Sequence, residues 1–184
     1  RLAAQGYHRK PSDAIGGIPV DSEYIIFVID TSGSMQENHW TAARETMREI
    51  LDIYPKVKGI QGMDDEGGYM FDSYRAQWIP DTPARRKAIL DRMKGWQPFS
   101  NSSPVEGVTA AIRTFWAPDK KISVYVFGDD FTGESIQAVL DSIDRINRVG
   151  QGGQRRVRIH AVGFPMPARY PQFGNQRFSA LMRA

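Results

Sequence analysis

The chain has 184 residues, 41% of them hydrophobic and 24% charged, with a formal net charge of +3. That length suits one domain of roughly 100–200 residues, and an aromatic content of 11% excludes a disordered chain. Cysteine is absent, which excludes disulfides, a thiol nucleophile and cysteine-bound zinc, and leaves cytosol, periplasm and exterior all open.

Residues 1–22 lack periodicity and carry Pro and Gly punctuation, so they are expected to form a linker or arm ahead of a domain over 23–184. A chain beginning at Arg1 without a signal-peptide pattern is expected to be a fragment or a processed product. Residues 24–29 form a continuous apolar run that ends abruptly in Asp30-Thr31-Ser32-Gly33-Ser34. Such a run, apolar on both faces, predicts a central strand of a parallel sheet. It is also the longest aliphatic and aromatic run, far short of the roughly 20 residues that a membrane-spanning helix needs. Trp40, Ala43, Met47, Ile50, Leu51 and Tyr54 recur at helical spacing before Pro55 and predict an amphipathic helix with Trp40 in the core. Short strands around 58–63 and 69–72, separated by Asp65-Glu66-Gly67-Gly68, predict an antiparallel hairpin.

Thr82-Pro83 opens a helix expected to reach about Lys94, and Ser103-Pro104-Val105-Glu106 opens another. A second buried strand over 122–127 runs into Gly128-Asp129-Asp130. A helix marked by Ile136, Val139, Leu140, Ile143 and Ile146 follows, then a strand over 157–162 and a helix beginning near Phe178. This alternation predicts an α/β layered domain with a mainly parallel twisted sheet. The basic clusters Arg85-Arg86-Lys87 and Arg155-Arg156-Val157-Arg158 lack interleaved aromatics and a reading motif, so they read as solvated element ends and no nucleic-acid partner is expected.

Ligands of such sheets bind outside the carboxyl ends of the strands, where strand order reverses. Asp30 and Asp129 each end a buried strand, Ser32 and Ser34 follow Asp30, and Ser103 begins a helix nearby. Two carboxylates and three hydroxyls at one edge make an all-oxygen set, which suits Mg2+, Mn2+ or Ca2+. His8, His39 and His160 are scattered and are not expected to be ligands.

The pentapeptide Asp30-Thr31-Ser32-Gly33-Ser34 resembles the D-x-S-x-S motif of von Willebrand factor type A domains, whose metal-ion-dependent adhesion site begins there. Asn101-Ser102-Ser103-Pro104 is similar to the family's Gly-Gly-Thr-Pro-like loop, with Ser103 at the threonine position, and Gly128-Asp129-Asp130 to its Thr-Asp-Gly. The resemblance covers residues 23–184 and implies a Rossmann-like, three-layer domain with one antiparallel edge strand and helices on both faces. It implies a cation held by Asp30, Ser32, Ser34, Ser103 and Asp129, and an Asp or Glu of a partner protein as outside ligand. Met35, Gln36, Glu37, Phe99, Ser100 and Phe131 would rim the site, and Asp130 would add a carboxylate where the family usually has glycine. The family's last strand has no counterpart before Ala184, so truncation is expected. Analogy with isolated type A domains favours a bacterial periplasm or cell surface.

Simpler roles stay open for each residue. Asp30 caps turns well, Ser32 and Ser34 suit turn hydroxyls, and Ser103 with Glu106 fits a capping box. The alternative function is a Mg-dependent phosphoryl-transfer or hydrolytic enzyme. Against it, Ser32 stands where dehalogenase-type phosphotransferases carry their second aspartate, and no G-x-S-x-G, H-E-x-x-H or phosphate-loop motif occurs. A binding module rather than an enzyme is the expectation, with a scaffold domain that uses other surfaces as a third possibility.

Overall fold

The computed structural model describes residues 20–129, 135–150 and 153–164. Strand β1 (Tyr24–Ile29) leads into helices α1 (Gly33–Asn38) and α2 (Trp40–Ile53), then β2 (Gly59–Asp64). After a 3-10 turn at Asp72–Tyr74 come α3 (Pro83–Arg92), α4 (Pro104–Phe115), β3 (Ile122–Gly128) and α5 (Ile136–Asn147). The short strands β4 (Arg148–Val149) and β5 (Gln154–Arg155) precede β6 (Arg158–Gly163). The main sheet has the order β2-β1-β3-β6 and is parallel throughout, while β4 and β5 form a separate antiparallel pair. The fold is α/β, as the alternation of elements predicts.

β1 reads as an unbroken apolar run because it is covered on both faces. Ile25, Phe27 and Ile29 face one core with Met47 and Leu51 of α2 and Ile89 of α3. Ile26 and Val28 face the other with Val108, Ile112 and Phe115 of α4. All five β1 residues from Ile25 to Ile29 are fully buried. At roughly 1.5–3 kcal/mol for each large apolar side chain removed from water, this strand alone anchors the domain.

Several expectations need correction. The hairpin is reduced to isolated antiparallel bridges on the outer side of β2, Met63 with Tyr69 and Ile60 with Ile79. The chain turns tightly at Gly67 (φ 95°) and enters the 3-10 turn at Asp72, so no second strand extends and the described sheet has no antiparallel edge strand. The helix expected from Trp40 is preceded by the extra turn α1, with His39 between the two. Finally, the last residues of the expected arm belong to the domain: Val20 packs on the core, and the Ser22 and Ser123 hydroxyls are 2.7 Å apart. Trp40 is half-buried against the core as expected, its indole N–H donating to the Met93 carbonyl at 2.5 Å. Arg86 is not a solvated element end, because its guanidinium donates to both Asp81 oxygens at 2.6 and 2.7 Å. The expected helix near Phe178 lies outside the described residues.

α4 approaches the end of β2 only because residue 107 is glycine. Its N–H donates to the Asp65 carbonyl at 2.7 Å. A Cβ there would sit 2.6 Å from Val28 Cγ1 and 2.9 Å from both the Asp64 carbonyl oxygen and Asp65 Cα. Two of these obstacles are backbone and cannot rotate away. Gly107→Ala is therefore expected to destabilise the fold by about 1–3 kcal/mol, measured as a shift in urea unfolding.

Candidate functional site

In this strand order the chain passes from β1 to β2 on one side, then crosses to β3 on the other. The switch point lies between β1 and β3, and their carboxyl ends frame the place where such sheets take ligands. Asp30 leaves β1 there with its N–H donating to the Phe127 carbonyl of β3 at 2.9 Å, and Asp129 follows β3 directly. Both aspartates are buried, at 3% and 1% exposure.

Asp30 Oδ1 accepts the Ser32 N–H at 2.8 Å and the Ser102 hydroxyl at 3.4 Å. The turn-capping role open to Asp30 is thus real, but it occupies one oxygen. Oδ2 is buried and makes no hydrogen bond among the described residues. The Ser32 and Ser34 hydroxyls lie 3.2 Å apart beside it in sequence. Ser103 begins α4 with no side-chain capping bond, so the alternative role open to it, a capping box with Glu106, does not form and its hydroxyl is not spent on the helix. A buried carboxylate oxygen without a donor, next to neutral hydroxyls, fits a hard cation. Among the described residues no group of three or more Asp, Glu or His side chains is clustered as a metal site.

A site residue that the sequence does not single out is Asp65, which its Asp-Glu-Gly-Gly context places in a turn. It is 1% exposed and holds three segments together. Oδ1 accepts the Thr31 N–H at 3.3 Å, Oδ2 accepts the Ser103 N–H at 2.6 Å, and the Ser100 hydroxyl also bonds its carboxylate. Ser100 in turn accepts from Thr31 N–H at 3.2 Å. Gln36 adds a second brace, donating to the Thr31 carbonyl at 2.7 Å and the Pro98 carbonyl at 2.9 Å. Ser102, also unforeseen, holds a left-handed backbone (φ 57°) that brings its hydroxyl to Asp30. An Asp directly after a buried strand, as at β2, was the available signal for Asp65.

The rim differs from expectation at two points, Met35 and Ser100. Met35 is fully buried, because α1 turns it into the core between β1 and α2, so it is not a rim residue. Glu37 is exposed, Ser100 is buried within the bracing network, and Phe99 is 76% exposed. Asp130 and Phe131 lie outside the described residues. His39, one of the scattered histidines, comes to 3.9 Å from Asp129 Oδ2 through its Nε2.

Burial pushes the Asp30 carboxyl up to about 7, the charges of Asp65 and Asp129 add to the rise, and the Ser32 hydrogen bonds oppose it. Asp65 is raised in the same way, chiefly by burial. An acid whose native pKa is raised supports the fold below its unfolded value and loses that support as pH rises through the native one. Asp30 therefore weakens the cation-free protein between about pH 4 and 7. His160 acts oppositely, since burial lowers its imidazole to about 4 and its neutral form gains favour as pH rises. Asp30→Asn isolates the first effect and keeps an acceptor at Oδ1. In EDTA the variant should match wild type near pH 4 and exceed it by on the order of a few kcal/mol at pH 8, measured by urea unfolding. Parallel profiles would show that ionising Asp30 carries no cost.

Asp65→Ala strips the acceptor from the Ser103 N–H and one of the two acceptors from the Thr31 N–H, which keeps the Ser100 hydroxyl. A buried orphan of this kind costs roughly 1–3 kcal/mol. The expected outcome is a lower unfolding midpoint together with a weaker Mg2+ response, measured by thermal melts with and without the cation.

No family model matches the chain, and no curated protein matches it. Among 38 solved chains that do match, proximal thread matrix protein 1 from the mussel byssus is similar with a TM-score of 0.51 at 13% identity. The likeness covers 88% of this chain and 45% of that one, so the chain spans less than half the length of that relative. At this identity the likeness is one of fold alone.

Proposed function

We propose that the chain is a cation-dependent binding module with the layout of a von Willebrand factor type A domain, and that it captures an acidic side chain of a partner protein. Asp30, Ser32, Ser34, Ser103 and Asp129 would hold Mg2+ or Mn2+, with Ser102 close by and Asp65 bracing the loops. The single observation that carries this reading is Asp30 Oδ2, a buried carboxylate oxygen at the switch point of the sheet to which no described residue donates a hydrogen bond. Two further features support it: the Asp-x-Ser-x-Ser order immediately after the central strand, and Asp129 at the end of its neighbour.

A hard cation bound there supplies positive charge and a coordination position that an outside carboxylate can take. The chain's residues prepare that exchange. Serine hydroxyls are neutral donors, so they leave more of the cation's charge for an incoming acid than carboxylates would. Buried aspartates fix the hydroxyl-bearing loops and balance the charge at a short remove. Phe99 and Glu37 stand exposed on the loop and helix around the site and offer contacts that distinguish one partner from another.

The test is capture of partner protein from source extract in Mg2+ and in EDTA. Retention should require the divalent cation, and Ser32→Ala, Ser34→Ala or Asp129→Ala should reduce it at least about tenfold, since losing one charge-assisted contact is worth 1.4 kcal/mol or more. Full retention in EDTA would remove the site from recognition. Mg-dependent phosphatase or ATPase turnover abolished by Asp30→Ala would replace the binding reading with an enzymatic one.

A further inference from the structure

At the opposite end of the sheet from Asp30, the chain has a second concavity. It measures about 890 Å3 and lies between α5 and the strands β3 and β6. Its inner lining is aliphatic: Ile122 and Val126 of β3, Ile159 and Ala161 of β6, Leu140 and Ile143 of α5. The strand residues share one face, since Val126 pairs with Ala161 and Ile159 pairs with Val124 in the parallel register. From Ile122 to Val126 the lining runs about 13 Å, at roughly 3.3 Å per strand residue.

Charge is confined to the end where the strands begin. Lys120, Lys121, Arg155, Arg156 and Arg158 line it against only Asp21 and Asp144. Those two acids are engaged, Asp144 by Arg148 and Arg155, Asp21 by Arg158. Among the described residues, neither Lys121 nor Arg156 has an ion pair. Arg156 is held over the Trp116 ring at 4.9 Å, and its Nε is buried without a hydrogen-bond partner. A buried guanidinium N–H that no described residue accepts from is rare in a finished structure and leaves a donor open to a ligand's acceptor. Asn147 also lines the slot, but its amide is fully used, donating to the Val157 carbonyl and accepting the Val157 N–H. Recognition at the mouth therefore falls to Arg156 and Lys121.

We propose that this slot binds a single-chain anionic amphiphile of the fatty-carboxylate class, its tail along the aliphatic lining and its head at Arg156 and Lys121. An extended peptide would need main-chain donors and acceptors along the lining, and aliphatic side chains offer none. Pockets of roughly 300–1,000 Å3 are the usual size for a small ligand held by a few placed polar groups. This inference does not depend on a cation at Asp30.

The experiment is calorimetric titration of the full chain with decanoate below its micelle concentration, beside uncharged 1-decanol. Saturable one-to-one binding is expected, with decanol weaker by at least about tenfold, the loss anticipated for a charge-assisted pair. The Arg156→Gln/Lys121→Gln variant should lose a similar factor while keeping its melting temperature. Ala161→Leu, which fills the lining, should also weaken decanoate and leave the response to Mg2+ unchanged. Equal affinity for decanol, undiminished binding by the double variant, or an absence of saturable binding would each overturn the proposal. So would capture of the chain by anionic phospholipid vesicles that decanoate does not compete away.

Discussion

Three neighbouring parallel strands each run into a buried aspartate, and that placement governs the rest of the molecule. Asp30, Asp65 and Asp129 are at most 3% exposed. Taking a carboxylate out of water is costly unless hydrogen bonds or opposite charge replace the solvent. Asp65 meets that requirement with backbone N–H groups from two different loops and a serine hydroxyl. Asp30 meets it at one oxygen only. The imbalance separates a structural carboxylate from one that is incomplete in the protein alone.

The architecture around these acids serves to hold the loops that carry them. β1 is sealed by two cores built on its alternate faces, which fixes where Asp30 emerges. The absence of a side chain at Gly107 lets α4 lie against the end of β2, and Asp65 then ties the start of that helix to the loop after β1. Gln36 and Ser100 repeat the tie from α1 and from the 98–103 loop. Loops that carry ligands on a rigid sheet are usually positioned this way, by contacts outside the ligand set itself. The aliphatic slot runs along β3 from Ile122 to Val126, and its charged mouth lies at the end of the sheet opposite Asp30.

Much of this was legible in the sequence because hydrophobic runs and their punctuation are local signals. The sealed strand before Asp30, the helix after Pro83 and the buried run before Asp129 follow from composition and spacing alone. Asp65 was poorly legible, since its one signal, an Asp directly after a strand, is overlain by Asp-Glu-Gly-Gly turn chemistry and its partners lie 34 and 38 positions away. Met35 was misplaced because resemblance to a motif orders residues along the chain, whereas α1 decides which of them turn inward. The hairpin failed for a related reason: an apolar pair of segments around a tight turn does not ensure a ladder when the second segment curls into a 3-10 turn. Ser102 escaped notice because its role depends on a left-handed backbone that serine rarely adopts.

The central claim is that the incomplete carboxylate at Asp30 marks a cation site shared with the serine hydroxyls. The most direct measurement is anomalous diffraction from crystals of the chain soaked in Mn2+. The expected result is one dominant peak within bonding distance of the Ser32 and Ser34 hydroxyls, about 2.0–2.2 Å for a small hard cation, and lost in Asp30→Ala. A peak elsewhere, or none at a concentration that saturates the thermal response, would contradict it.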